Sequence, residues 1–547
     1  MSGIGTFWRT VRHLKPQQVI GRLRFRLHRR APDLRPAPSQ RARTGEWVIP
    51  AMRERSLVAP MRLRLLNVER EVSHNGWDDP SVEKLWRYNL HYFDDLNACD
   101  APARAAWQRA LIARWIETNP PAHGTGWEPY PVSLRIVNWI KWFTTGATAE
   151  SAWVHSLAVQ ARWLSRRLEV HLLGNHLFSN AKALAFAGLF FEGQEAERWL
   201  HRGVEILERQ LPEQILADGG QFERSPMYHA LALEDVLDIL NAIRAYEPSR
   251  SSLRGFESHV RDRSSRMLHW LRCMTHNDGS IGLFNDCAEG IAPTVRELER
   301  YAAQLGVVAP QPSSDAITHL SASGYVRASR GRALALLDVA PVGPSYLPGH
   351  GHADTLSFEL SLGSQRVIVN GGTSCYGSSA QRACERGTAA HSTVQVAGTD
   401  SSEVWSGFRV GRRARPSPVK ITDWEVCCSH DGYRFLPGRP VHRRCWRLGV
   451  GELVVDDTVT KCKYPALARY ILAPGLRLVA HHPGHWHVLC RDDTVVSISV
   501  LQGLACATRV NHAPRFGVVL PVDCLAVTLA KGRAVTRWTW TRQVGSF

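Results

Sequence analysis

The apolar residues of this chain change their period once, and that change limits the folds open to it. From roughly residue 80 to 310 they recur every three or four positions, as in "ARAAWQRALIARWIE" (103–117), "PVSLRIVNWIKWF" (131–143) and "HALALEDVLDILNAIRAY" (229–246). That spacing lays one apolar face along a helix. Pro131 and Pro226 stand where helices can begin. Past Pro312 the period becomes two, in "GYVRASRGRALALLDVA", "DTLSFELSLGSQRVIVNGG", "STVQVAG", "GELVVDDTVT" and "DDTVVSISVL". Short alternating runs divided by Gly, Asn and Asp predict antiparallel strands. The chain is therefore expected to be multidomain, α then β: stacked helical hairpins, then a large antiparallel β-sandwich. The expected divisions are 1–79 (a basic arm and lead-in helices), 80–312 (helical) and 313–547 (sheet), with the switch at "VAPQPSSDAIT" (308–318). A cleft at the junction is the expected ligand site.

The length of 547 residues allows two or three cores, and 44% hydrophobic with 21% charged residues is ordinary globular composition. No apolar run is long enough to span a bilayer. The N-terminus lacks an unbroken apolar segment and a small-residue cleavage site, so it does not read as a secretory signal. Cytoplasmic residence, membrane-peripheral at most, is the expectation. The twelve cysteines form no CxxC pair and are expected to be mostly reduced and buried. Charge is uneven: residues 1–45 hold eleven Lys or Arg against one acid, Asp33. Ile20, Leu23 and Leu27 keep a helical spacing there, with Arg22, Arg26, Arg29 and Arg30 between and after them. Such an arm can lie on an anionic membrane surface or dock on the protein's own body. No recognised nucleic-acid module follows it, so nucleic acid is not an expected partner.

Polar clusters interrupt the regular segments. In "LLGNHLFSNAKAL" (172–184), Asn175, His176 and Asn180 break an apolar helix. In "DGGQFERSPMYHALAL" (218–233), a Gly-Gly turn leads to Glu223, Arg224, Tyr228 and His229 before a helix. A Tyr beside Arg and His can have its phenol pKa lowered and act as a base; the structural alternative is packing at a helix N-terminus. "WEPYPVSLRIVNW" (127–139) mixes Trp127, Tyr130 and Arg135 as a sugar-binding groove would, or as core. "YLPGHGHADTLSFEL" (346–360) crowds His350, His352 and Asp354 at the mouth of a strand, and HxH suits a metal because both imidazoles can project together. Asn370 and His391 also fall at strand ends.

Taken in order, "NHLFSN", "GGQFERSPMYH", "GHGHADTLSFEL", "VNGGTSCY", "AAHSTVQVAG" and "VWSGFRVGRRA" resemble the heparinase II/III-like polysaccharide lyases, over residues 80 to 420. The resemblance implies an incomplete (α/α) toroid followed by a large antiparallel β-sandwich. It also implies β-elimination on an acidic, uronate-containing polysaccharide. By that resemblance Asn175 and His176 hold the substrate carboxylate, Tyr228 takes or gives a proton, and His350 is its partner. Arg224, Glu223, Trp127, Tyr130, Arg135 and His229 are expected around the substrate. His352 and His391 match ligands of a structural zinc found in some members. The third ligand is normally an Asp, and this chain has Asn370 in its place, so a metal is held loosely, or Asp354 substitutes, or none is bound.

Two rival functions are open at this level. A glycoside hydrolase needs two opposed carboxyls, for which Glu128, Glu223 and Asp286 are candidates. A non-catalytic protein that binds an acidic glycan during exopolysaccharide or capsule assembly would suit a retained, basic chain.

Overall fold

The computed structural model describes residues 2–547 except 28–30, 73–75, 248–250, 462, 491–493 and 543–547. Two short helices open it, α1 (Ser2–Val11) and α2 (Pro16–Leu27). The arm docks on the protein's own body: Arg9 pairs with Glu403, Lys15 with Glu213, and Arg41 with Glu247. After these two helices, 57–71 forms a small antiparallel sheet of β1 (Leu57–Ala59), β2 (Arg62–Leu65) and β3 (Val68–Glu71). Two tight turns with positive φ at Met61, Leu66 and Asn67 reverse the chain there, and turns of three to four residues leave little periodicity to read.

Nine α-helices follow among the described residues: α3 (Lys84–Leu90), α4 (Ala105–Thr118), α5 (Pro129–Thr145), α6 (Ser151–Ser165), α7 (Gly174–Phe190), α8 (Gln194–Gln214), α9 (Pro226–Tyr246), α10 (Arg254–Cys273) and α11 (Val295–Gln304). α7 is buried from Leu177 to Phe190 and carries no β-branched residue, as expected for a helix enclosed on all sides. α5, α8 and α9 surround it. α8 is amphipathic instead, with Trp199, Leu200, Ile206, Leu207 and Leu211 turned inward. Pro226 is the first residue of α9, where a missing N–H costs nothing.

The sheet region holds β4 (Ala316–Leu320), β5 (Tyr325–Arg330), β6 (Ala333–Asp338), β7 (Phe358–Leu362), β8 (Gln365–Val369), β9 (Val394–Val396), β10 (Val404–Trp405), β11 (Arg409–Val410) and β12 (Lys420–Thr422). β13 (Glu425–His430), β14 (His442–Leu448), β15 (Glu452–Val459), β16 (Ala466–Leu472), β17 (Leu478–His482) and β18 (His485–Leu489) follow. The last four are β19 (Thr494–Gln502), β20 (Leu504–Arg515), β21 (Val518–Thr528) and β22 (Arg533–Arg542). One nine-stranded sheet runs β20-β21-β16-β8-β7-β6-β5-β4, with β9 also on β16; the other runs β12-β13-β14-β15-β22-β19-β18-β17. Phe358 and Tyr470 of the first meet Trp446 and Trp538 of the second in a shared core. A helix, α12 (Ala380–Arg386), sits in the β8–β9 connection.

β6 is buried at all six positions because both its faces are covered. Ala333, Ala335 and Leu337 enter the sandwich core. Leu334 and Leu336 pack against Trp270, Met274 and Phe284 of the helical region. The inner sheet is thus pressed onto the helices, and its loops 339–357 and 370–391 are delivered to the junction.

The cysteines depart from expectation in one pair. β13 and β14 place Cys427 opposite Cys445, and the two form a disulfide. Cys99, Cys384 and Cys506 are exposed rather than buried.

Candidate active site

A cleft of about 1340 Å³ lies at the junction. Its walls include the N-termini of α7 and α9 and the loop that carries His350. The anchor of the site is Asp286, fully buried in the link between α10 and α11. Its Oδ2 takes a hydrogen bond from His350 Nδ1 at 2.8 Å and its Oδ1 one from His352 Nε2 at 2.8 Å. Both Nη atoms of Arg382 donate to the same carboxylate. Burial alone would raise the Asp286 pKa. The Arg382 guanidinium and the two imidazole donors outweigh it and hold the carboxyl well below the usual carboxylate range. An ionised Asp286 fixes the His350 proton on Nδ1 and leaves Nε2 as a lone pair. That Nε2 stands 3.4 Å from Glu223 Oε2.

Tyr228 lies at the start of α9, its ring 4.0 Å from the His350 ring. Its hydroxyl is 3.0 Å from that of Tyr376. Burial, then the neighbouring phenols, push the Tyr228 pKa well above its ordinary value. Arg224 does not lower it: Arg224 Nε donates to the Ser323 carbonyl at 2.8 Å, tying the helical region to the sheet. Tyr228 is therefore a protonated phenol at rest, which suits a proton donor rather than a resting base.

Asn175 and His176 open α7 on the cleft wall. His176 stacks on Tyr130 at 4.4 Å, and its Nδ1 is 3.2 Å from Glu169. Burial would lower its pKa, but Glu169 and more distant Glu223 and Glu128 raise it above the ordinary value. Among the described histidines with a displaced pKa, His176 alone moves upward. Among the described residues no group hydrogen-bonds the Asn175 amide, which faces the cleft ready for a ligand.

The backbone is unusual at the same places. Leu173 (φ 62), Arg224 (φ 62) and Asn285 (φ 56) adopt positive φ, each within two residues of Asn175, Glu223 or Asp286. Such conformations cost on the order of 1–3 kcal/mol each and gather where a side chain must be aimed.

Four expected substrate residues lie elsewhere. Trp127 is 3% exposed and packs between Trp115 and Trp163 in the helical core. Arg135 is fully buried, its guanidinium 3.8 Å over the Trp115 ring and bonded to Gln160 and the His91 carbonyl. His229 is buried, accepting from Gln221 N–H and donating to the Met267 carbonyl, so it fixes the turn before α9. Arg224 is the inter-layer tie already described. Each falls on the inward face of its helix or turn, which an aromatic and polar composition alone does not distinguish from a groove. Sequence reasoning missed the roles of Tyr376, Arg382 and Glu169. Tyr376 sat inside the motif "VNGGTSCYG", and a second phenol there was the available signal.

The Heparinase II/III N-terminus family model matches residues 86–305, and Heparinase II/III-like, C-terminal, matches 313–517. The chain belongs to the heparinase II/III-like family. A heparin-sulfate lyase of Bacteroides thetaiotaomicron is 28% identical over 190 residues, which is 32% of this chain and 27% of that protein. One from Pedobacter heparinus is 31% identical over 116 residues, 20% of this chain and 17% of that protein. The aligned stretches thus span under a third of those relatives. The structure of heparinase III superimposes with a TM-score of 0.67 at 17% identity, covering 86% of this chain and 81% of that one. A heparan sulfate lyase HepC mutant from Pedobacter heparinus gives 0.58, also at 17%, covering 89% and 82%. These likenesses establish the fold: a helical toroid followed by an antiparallel sandwich.

Family membership raises the question of zinc. His352 Nδ1 and His391 Nε2 are buried without a partner among the described side chains, and the rings lie 5.3 Å apart. Burial keeps both imidazoles neutral, as ligands must be. The third donor is missing. Asn370 Oδ1 accepts from His391 Nδ1 at 2.9 Å, and its amide donates to Ser357. Asp354 does not substitute: among the described residues it forms no group with the two imidazoles whose ligand atoms lie close enough for one ion. Two imidazoles fall short of the three protein ligands that a zinc site needs, so the residues present do not fit one. A different group, Glu425, Cys427 and Cys445, has ligand atoms close enough for a metal, but its two sulfurs are joined here as a disulfide.

Proposed function

We propose that this chain is a polysaccharide lyase that cleaves an acidic, uronate-containing glycan by β-elimination. The observation that carries the reading is the contact of Tyr228 with His350, whose Nδ1 is hydrogen-bonded to the buried Asp286. The C5 proton of a uronate is acidic only if the adjoining carboxylate is neutralised. His176, raised toward its cationic form, and the free Asn175 amide supply that. His350 Nε2 takes the C5 proton. The electron pair forms C4=C5, the C4–O4 bond breaks, and the Tyr228 phenol gives its proton to the leaving O4. The resulting imidazolium and phenolate face each other and exchange the proton back. Tyr376 stabilises the phenolate through the hydroxyl pair, and Glu223 the imidazolium. The setting proposed with it is exopolysaccharide or capsule metabolism.

Of the three carboxyls named for the hydrolase alternative, Glu223 alone lines the cleft, where it faces His350. Asp286 is enclosed by Arg382 and two histidines, and Glu128 is bonded to Tyr88 and Lys84. Purified protein should be incubated with alginate, heparan sulfate, chondroitin sulfate and hyaluronan while ultraviolet absorbance of the unsaturated uronate is followed. The expected result is a rise that Tyr228→Phe and His350→Ala each reduce by about 10²-fold or more. New reducing ends without that absorbance would replace elimination with hydrolysis. Binding without either product would leave the non-catalytic reading.

A further inference from the structure

The two N-terminal helices span the mouth of the cleft. On the sandwich side, Thr6 Oγ1 donates to Glu403 at 2.7 Å, Arg9 Nε donates to the same carboxylate at 2.8 Å, and Trp405 Nε1 donates to Thr10 Oγ1 at 3.0 Å. At the centre, Lys15 lies 3.8 Å over the Tyr346 ring, and Gln18 Nε2 donates to the Tyr346 carbonyl at 3.4 Å. On the toroid side, Phe25 packs on His171 at 4.5 Å, under the Arg167 guanidinium at 4.2 Å. Gly21 makes that seating possible: a Cβ there would stand 3.1 Å from His171 Cβ and 3.3 Å from its main-chain N and Cα. α2 therefore rests on the turn that runs from His171 directly into Asn175 and His176.

The cations of this arm differ in what they meet. Those that dock it are paired with acids: Arg9 with Glu403, Lys15 with Glu213, Arg35 with Asp33 and Glu195, Arg41 with Glu197 and Glu247. Arg22 and Arg26 are exposed, line the cleft, and have no ion pair among the described residues. They stand four residues apart on α2, hence on one face with Cβ atoms about 6 Å apart. Two like charges at that spacing disfavour the helix, and among the described residues no acid pairs with either.

We infer that α2 is part of the substrate site, where Arg22 and Arg26 form a subsite for a carboxylate or sulfate of the glycan beyond the sugar held by Asn175 and His176. The inference rests on the lyase reading of the cleft. It assigns the basic arm a role in substrate recognition: the strap makes one end of an open cleft into a cationic wall. A guanidinium pair suits anionic oxygens, because each fork offers two parallel N–H donors.

The test is equilibrium binding of acidic oligosaccharides to the full chain carrying Tyr228→Phe, so that nothing is consumed. Arg22→Ala with Arg26→Ala should weaken binding about tenfold or more and flatten its salt dependence, with Tm unchanged because both side chains are exposed. Arg22→Lys with Arg26→Lys should recover part of the loss. Gly21→Leu, which keeps both arginines but lifts α2 off His171, should weaken binding equally. In the otherwise native enzyme the double Ala variant should raise KM and leave kcat as it was. A loss on alginate and heparan sulfate alike assigns a carboxylate, and a loss on heparan sulfate alone assigns a sulfate. Native affinity in both the double Ala and the Gly21→Leu variants, on a glycan that the parent binds and the native enzyme cleaves, would overturn the strap inference and spare the lyase. A parent that binds none of these glycans would overturn both.

Discussion

A carboxylate without solvent stays ionised only when donors surround it, and Asp286 has Arg382, His350 and His352. One buried charge thereby sets the tautomers of two histidines and, through them, separates two tasks. His350 presents a lone pair to the cleft, while His352 presents one to His391 inside the protein. The HxH spacing in the sequence showed that the two belong together. It did not show that their common partner is an aspartate more than sixty residues earlier, because nothing local marks Asp286. The substitution of Asn370 for the usual Asp was legible, and its consequence is chemical. Asn370→Asp would give His352 and His391 the carboxylate they lack. Metal analysis after dialysis should then find zinc near one per chain in the variant and well below that in the native protein. Stoichiometric zinc in the native protein would sink this reading of Asn370.

Elements act here through their first turns. α7 begins at Gly174, whose φ of +53 and whose closeness to Leu347 and Glu223 exclude a side chain. α9 is capped by Ser225, whose Oγ accepts from Tyr228 N–H at 3.2 Å and donates to the Asp286 carbonyl at 2.5 Å. A single cap thus joins the helix that carries the phenol to the strand-like link that carries the anchor. Ser225→Ala should cost about 1 kcal/mol of stability, as for other N-caps. It should also lower kcat several-fold with little change in KM, since Tyr228 and Asp286 lose a shared tie. Unchanged kcat in a folded variant would show that the cap only stabilises the helix. The start of α9 at Pro226 was legible, because proline fixes the first turn. β6 was legible as a strand inside "GYVRASRGRALALLDVA", but not its burial on both faces, which period alone does not give. α12, which supplies Arg382, was not read at all. It is one short helix inside a long loop, with no room for a period to develop.

At the scale of the molecule, the period change announced two layers, but not that both would bury neutral histidines throughout their packing. His91 accepts from Trp115 Nε1 and donates to the Trp77 carbonyl, and its pKa is pushed down to about 3 by burial. His229, in the first turn of α9, and His512, on β20, are each pushed down by burial to about 4. In the unfolded chain each returns to roughly 6.5. Between those values the unfolded state binds more protons, so stability must rise with pH and fall as pH drops below 6.5. Each such histidine contributes on the order of 1 kcal/mol per pH unit across the window. Asp354, whose carboxyl burial raises to about 6, opposes the trend below that pH, whereas the stability from the raised His176 is lost only above 6.5 and leaves this window untouched. Asp286 does not enter, because its depressed pKa contributes stability that is lost only below the ordinary carboxylate range. Against total stabilities of about 5–15 kcal/mol this is a large fraction, and unfolding should become markedly easier between pH 6.5 and 5. Calorimetric scans at half-unit steps should show Tm falling continuously through that interval. A Tm that stays level down to pH 5 would mean that these imidazoles are protonated in the folded state, and the neutral hydrogen-bonding pattern assigned to them here would have to be redrawn.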